Sequence, residues 1–197
     1  MTRKRAFLIF VSLLAYGAII FLVYLWVMPP LSHVSRLEEE QEIYSSLVRK
    51  SDVLEDTTII GWSDFSKDYL EFIKRGLPKL EEETLTDFQK RDNASDLIKD
   101  YFPTHISYIF LSSPEIEKNY QDGWEAFNNK YPDSHGITSF SRIGFNFRFT
   151  QALVFKEYGN PAELGSDNGS YGEGTFILLE KKNDVWSVIG ELLMWVT

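Results

Sequence analysis

The chain has 197 residues, 44% hydrophobic and 15% aromatic, enough for one packed domain and against wholesale disorder. It has no cysteine, which excludes disulfides, thiolate metal sites, a cysteine nucleophile and a lipidated N-terminal cysteine. A net charge of −9 argues against a nucleic-acid partner, because phosphate binding needs clustered Lys and Arg.

The charge is uneven along the chain. Arg3, Lys4 and Arg5 lie in a basic tip (residues 1–5), and Ala6 to Met28 carries no charge at all. Without those three of the 20 basic residues, 17 Lys and Arg face 29 Asp and Glu, a net of −12. At roughly 1.5 Å per residue the uncharged run reaches about 35 Å as a helix, enough to cross a hydrocarbon core of ~30 Å. Ala6, Phe7, Leu14, Ile20, Leu25 and Met28 sample its membrane-contacting length, Tyr24 and Trp26 suit the far interface, and Pro29–Pro30 stop it. A cleaved signal peptide would have a shorter apolar region and a small-x-small cleavage site, which "MPPLSH" does not offer. The expectation is a signal anchor over residues 6–28, with the basic tip cytoplasmic and everything after it outside the cell membrane. The acidic outer part should not adhere to anionic lipid, so "SHVSRLEEEQE" reads as a short tether.

Residues 29–56 are expected to form that tether and a first helix over Ser35–Lys50, whose Glu38, Glu39 and Glu40 suit the helix dipole. The outer domain proper spans residues 57–197. "TTIIGW" (Thr57–Trp62) predicts a strand, and "SDFSKDYLEFIKRGLP" a helix capped by Ser63 and ended by Gly76 and Pro78. Leu85–Phe102 predicts one broken or two short helices, with Ser95 as a cap. "HISYIFLSS" (His105–Ser113) predicts a strand. Ser113-Pro114-Glu115 opens a helix in which Ile116, Tyr120, Trp124, Phe127 and Tyr131 recur at helical spacing, expected to pack on the C-terminal third.

That third reads as four antiparallel strands. "SRIGFNFRF" (Ser141–Phe149) alternates strictly, and Thr150–Tyr158, Gly174–Lys182 and Val185–Val196 follow, the last two joined by a tight turn at Lys182-Asn183-Asp184. The last two strands are apolar on both faces, so both are expected to be central. The fold class is α+β: an N-terminal transmembrane helix, then helices packed on a C-terminal meander.

From Trp124 onward, "WEAFNNKYPDSHGITSFSRIGFNFRFTQALVF" and then "YGEGTFILLEKKNDVWSVI" resemble a family of uncharacterised bacterial membrane-anchored proteins. The shared pattern is W-x-x-F-x-x-x-Y-P-x-S-x-G, S-R-x-G-F-N, Q-A-L-V, G-x-G-x-x-x-L-x-K and a Trp. The resemblance implies architecture and no catalytic role. At fold level only, helices before a curled antiparallel sheet look like a cystatin-like or NTF2-like domain.

Chemistry-bearing patterns are few. His33, His105 and His135 lack the spacing of metal ligands, and "NGSYGEG" is not a nucleophile elbow. The glycine-rich "GNPAELGSDNGSYGEGTF" (Gly159–Phe176) fits neither a P-loop nor an EF-hand and reads as a strand connection, with a weak Ca²⁺ contact from Asp167, Asn168 and Glu173 as the sharper alternative. No catalytic residue, metal or cofactor is assigned. Two Asn-x-Ser sequons, at Asn93 and Asn168, matter only in a glycosylating host.

The best candidate site is Arg142, Asn146 and Arg148, which would share a strand face and could bind an anion through the forked guanidinium. The competing readings are solvent exposure, or a structural ion pair that pins a helix to the sheet. Two functions follow. One is a non-catalytic module contacting another envelope protein. The other is a ligand-binding or hydrolytic domain with a pocket between the Ile116–Tyr131 helix and the meander, using Arg142, Asn146 and His135 or Glu191.

Overall fold

The computed structural model describes residues 36–48, 52–61, 66–92, 95–102, 108–134, 136–160 and 171–196. The expected anchor, all three histidines, both sequon asparagines and the Asp167–Asn168 tip lie outside them. No helix among the described residues is long and apolar enough to cross a membrane.

The described chain is α+β, built on a seven-stranded mixed sheet. Its elements in order are α1 (Arg36–Leu47), β1 (Val53–Glu55), α2 (Lys67–Gly76), α3 (Glu82–Arg91), a 3₁₀ turn (Ile98–Tyr101), β2 (Ile109–Leu111), α4 (Ser113–Asp122), α5 (Trp124–Lys130), β3 (Ile137–Phe140), β4 (Gly144–Phe145), β5 (Gln151–Asn160), β6 (Tyr171–Lys182) and β7 (Val185–Val196). The sheet order is β2-β1-β3-β5-β6-β7, with β4 also paired to β5. β1 runs parallel to both β2 and β3, whereas β3, β5, β6 and β7 are successively antiparallel.

The three long C-terminal strands follow from β-rich runs separated by turn residues. Asn183 and Asp184 both adopt positive φ, at 51° and 60°, and close the two-residue turn that joins Lys182 to Val185. Alternation divides β5 and β6 between two layers. Val154, Ile177 and Leu179 face α1, while Leu153, Phe155, Phe176 and Leu178 face α2 and α3. Gly144 lets α3 approach: a Cβ there would lie 2.4 Å from the Phe88 backbone nitrogen.

Several expectations are corrected. "SRIGFNFRF" is not one strand, since only Gly144 and Phe145 pair with β5 and the chain then reverses. The Asn146 carboxamide oxygen accepts from the backbone N–H of Thr150 and Gln151, and Phe149 takes φ 52°. A side chain that holds the turn so firmly overrides the alternation around it. The "TTIIGW" strand lies earlier, at Val53–Glu55, and Thr57 and Ile59 make only isolated bridges before Gly61 turns away at φ 108°. α2 is capped by Ser66, which accepts from the Tyr69 N–H at 3.3 Å, and not by Ser63. α4 is capped by Ser112 rather than Ser113, in a capping box with Glu115.

The long aromatic helix is two helices, because Gly123 at φ 80° ends α4 and starts α5. Their buried contacts are Val53, Leu111 and Ile137, met by Phe127, so this pair covers β1–β3 instead of the C-terminal meander. β7 is the edge of the sheet, not a central strand. Finally, the helix expected over Ser35–Lys50 is present at Arg36–Leu47, but it is no tether: it lies packed on the sheet, with Glu39, Glu40, Ile43 and Tyr44 buried.

Candidate functional site

The three predicted site residues do not converge. Arg142 is anchored beneath α1, its side chain only 12% exposed. Its guanidinium pairs with Asp96, sits 3.8 Å from the Glu40 carboxylate, and lies 5.0 Å from the centroid of the Tyr101 ring. Tyr101 in turn donates its hydroxyl to Asp96 at 3.0 Å. The guanidinium is thus engaged on two carboxylates from its own chain.

Asn146 is buried on the opposite side of the turn. Its amide nitrogen donates to Glu81 and to Thr150, both at 2.9 Å, while its oxygen holds the turn. Next to it, the Gln151 side-chain oxygen accepts from the Glu81 backbone N–H at 2.7 Å and the Thr84 hydroxyl at 3.0 Å. Those bonds satisfy otherwise orphaned groups at the start of α3. Arg148 is exposed and lies across the Phe147 ring at 5.1 Å. One residue of the three faces solvent and two are structural.

Sequence reasoning missed a second polar group under α1. The buried Glu39 carboxylate accepts from Lys181 Nζ at 2.7 and 2.9 Å and from the Trp186 indole N–H at 2.6 Å. The Glu38-Glu39-Glu40 run was the available signal, because one face of a packed helix cannot keep three successive carboxylates in water. The helix is fixed further by the Tyr44 hydroxyl, which donates to the Ser141 carbonyl at 2.8 Å, and by Lys156 Nζ, which donates to the Leu47 carbonyl at 3.2 Å.

A third group lies near the ends of β1 and β5, where Glu157 pairs with Ser139 and Glu55 follows Leu54, the partner of Thr138. Burial, and secondarily the Glu55 charge, push the Glu157 carboxyl above the usual carboxylate range. Ser113 donates its hydroxyl to Glu55 at 2.9 Å. Among the described residues no cluster of three or more acidic or histidine side chains could hold a metal ion.

An open cleft of about 340 Å³ beside α3 is floored by Phe145 and Phe147 and rimmed by Glu83, Asp87 and Lys90. Asp87 is already committed there, to Arg91 and to the Phe145 N–H. The space predicted to hold a ligand does not form between those elements, because α4 and α5 pack on β1–β3; Phe145 and Trp186 are buried together in the α1-side core, with ring centroids 5.8 Å apart.

The convex and edge surfaces offer more. Among the described residues no strand pairs with the outer edge of β7, which exposes Val185, Val188, Leu193 and Val196, with Val188 45% and Leu193 51% exposed. Glu191 is its sole charged residue. Register shifts against β6 occur between Gly174 and Thr175 and between Leu178 and Leu179, which twist the strand locally. The glycine-rich loop connects β5 to β6, whose pairing extends to Asn160 and Tyr171 on either side of it. Gly174 is required at the strand entry, since a Cβ there would meet Trp195 and Phe155.

No protein-family model, curated protein or solved structure matches the chain.

Proposed function

We propose that this is a single-pass membrane-anchored protein whose acidic α+β domain lies outside the membrane and serves as a non-catalytic interaction module for another envelope protein. The observation that carries the reading is the β7 edge, a long strand with no described strand on its outer side and four exposed apolar side chains. Solvated edge strands are normally short, charged or covered, because an open ladder recruits another chain. A partner strand could extend the sheet there by main-chain hydrogen bonds. The uncharged Ala6–Met28 run supports the anchor, and the basic tip supports its orientation. The engagement of Arg142 and Asn146 within the fold supports interaction over small-anion binding. Three long antiparallel strands support a cystatin-like or NTF2-like scaffold, and the parallel β1 and β2 and the helices on both faces of the sheet depart from it.

The test is site-specific photocrosslinking of the full chain in cells. A photoreactive residue at Val188 or Leu193 is expected to give an adduct of defined mass, and one at exposed Glu117 on α4 is not. Equal, diffuse labelling at all three positions would overturn the proposal.

A further inference from the structure

α1 is attached to the sheet by buried charge as well as by apolar contact. It is held by side chains: two buried apolar groups, Ile43 and Tyr44, and two buried carboxylates, Glu39 and Glu40. Each carboxylate meets a cation carried by the sheet or the segment beside it, Lys181 on β6 and Arg142 just before β4. At the far end Lys156 of β5 reaches the last turn through the Leu47 carbonyl.

These two kinds of contact respond to separation in opposite ways. An apolar contact that opens exposes surface to water and gains nothing in return. A buried ion pair that opens regains the hydration of both charges, so the complete opening of a paired contact costs little, whereas removal of one partner strands the other in the interior. A helix seated half by charge therefore opens more readily than the strands below it, whose ladders and apolar layers must come apart together. α1 is also the described element nearest in sequence to the uncharged run, separated from Met28 by Pro29 to Ser35.

We propose that α1 is a releasable strap, latched by Glu39 on Lys181 and Trp186, which lifts from the sheet as a unit while β5, β6 and β7 stay folded. Release uncovers a seat of Ile143, Val154, Ile177 and Leu179 rimmed by Lys181 and Arg142. That seat fits an amphipathic helix bearing adjacent carboxylates, as α1 itself shows. The device does not depend on whether β7 binds a partner.

Hydrogen exchange followed by mass spectrometry on the full chain in detergent micelles tests it. Amides of Ile43–Leu47 are expected to exchange at least about 100-fold faster than those of Val154–Phe155 and Ile177–Leu179. Lys181→Met, which leaves Glu39 without its cation, should speed α1 exchange roughly 100-fold more and keep the α1 amides at least about 100-fold faster than the strand amides. Adding Glu39→Gln to it should return α1 most of the way, because the amide oxygen still accepts from Trp186. Exchange of α1 at the strand rate in the unaltered chain would overturn the proposal. So would a Lys181→Met variant in which the α1 amides do not accelerate, or in which the gap between α1 and strand amides closes.

Discussion

On one side of β5 and β6, α1 is seated by Glu39 and Glu40 on Lys181, Trp186 and Arg142; on the other, α2 and α3 are seated by Ile73, Leu77, Leu85 and Phe88. The polar bonds on the α3 side, from Gln151 and Asn146, secure a helix start and a turn and hold no buried ion pair. The difference separates two ways of holding a helix on a sheet. Apolar layers supply bulk stability without direction, whereas paired charges add little net stability and fix one register. In this domain the direction-fixing contact belongs to the helix that follows the uncharged N-terminal run.

Substitutions on the two sides should behave differently, and the largest effects come first. Phe88→Ala empties a fully buried site against Phe176 and should cost about 4 kcal/mol in denaturant unfolding, with no single compensating change. Lys181→Met should cost about 3 kcal/mol by leaving Glu39 uncompensated, and Glu39→Gln in the same chain should recover most of it. Failure of that rescue would remove the distinction between the faces. Gln151→Leu, on the apolar side, should cost about 2 kcal/mol, because the Glu81 N–H and the Thr84 hydroxyl lose their acceptor.

The smallest effect has the opposite sign. The Glu157 carboxyl is raised by burial and by Glu55, so the folded chain binds that proton more tightly than the unfolded chain does. Its contribution to stability is therefore greatest when it is protonated and declines as pH rises through the window above the ordinary carboxylate value. Glu157→Gln should stabilise the domain at neutral pH and flatten the pH dependence in that window. A melting temperature at neutral pH that falls on this substitution would contradict the burial argument.

Sequence reading served best where local chemistry decides. The Asn183-Asp184 turn, the pairing of β5 with β6 across the glycine-rich connection, and the end of α2 near Gly76 are all set by turn residues and alternation. β2 falls inside the strand expected at His105–Ser113, whereas β1 is three residues, too short for any period, and the parallel pairing of the two depends on chain far away in sequence. The Ser141–Phe149 alternation misled because Asn146 hydrogen-bonds the backbone of Thr150 and Gln151, an effect that periodicity does not register. β7 looked central because its register shifts send Trp186 toward the α1 layer, and Ile189, Leu192 and Trp195 toward the α2–α3 layer. An edge strand thereby acquires apolar residues on both faces. Of the candidate site, the ion-pair reading of Arg142 and the solvent exposure of Arg148 were open to sequence. The partners of Arg142, Glu40 and Asp96, are separated from it by most of the domain's helices.

The distinction between the faces is tested most directly by a double-mutant cycle on Glu39→Gln and Lys181→Met, measured by denaturant unfolding. A buried, coupled latch predicts that the double variant is at least about 1.5 kcal/mol more stable than the sum of the single losses allows. Losses that add to within about 0.4 kcal/mol would show that α1 is not held by this pair, and would contradict the account.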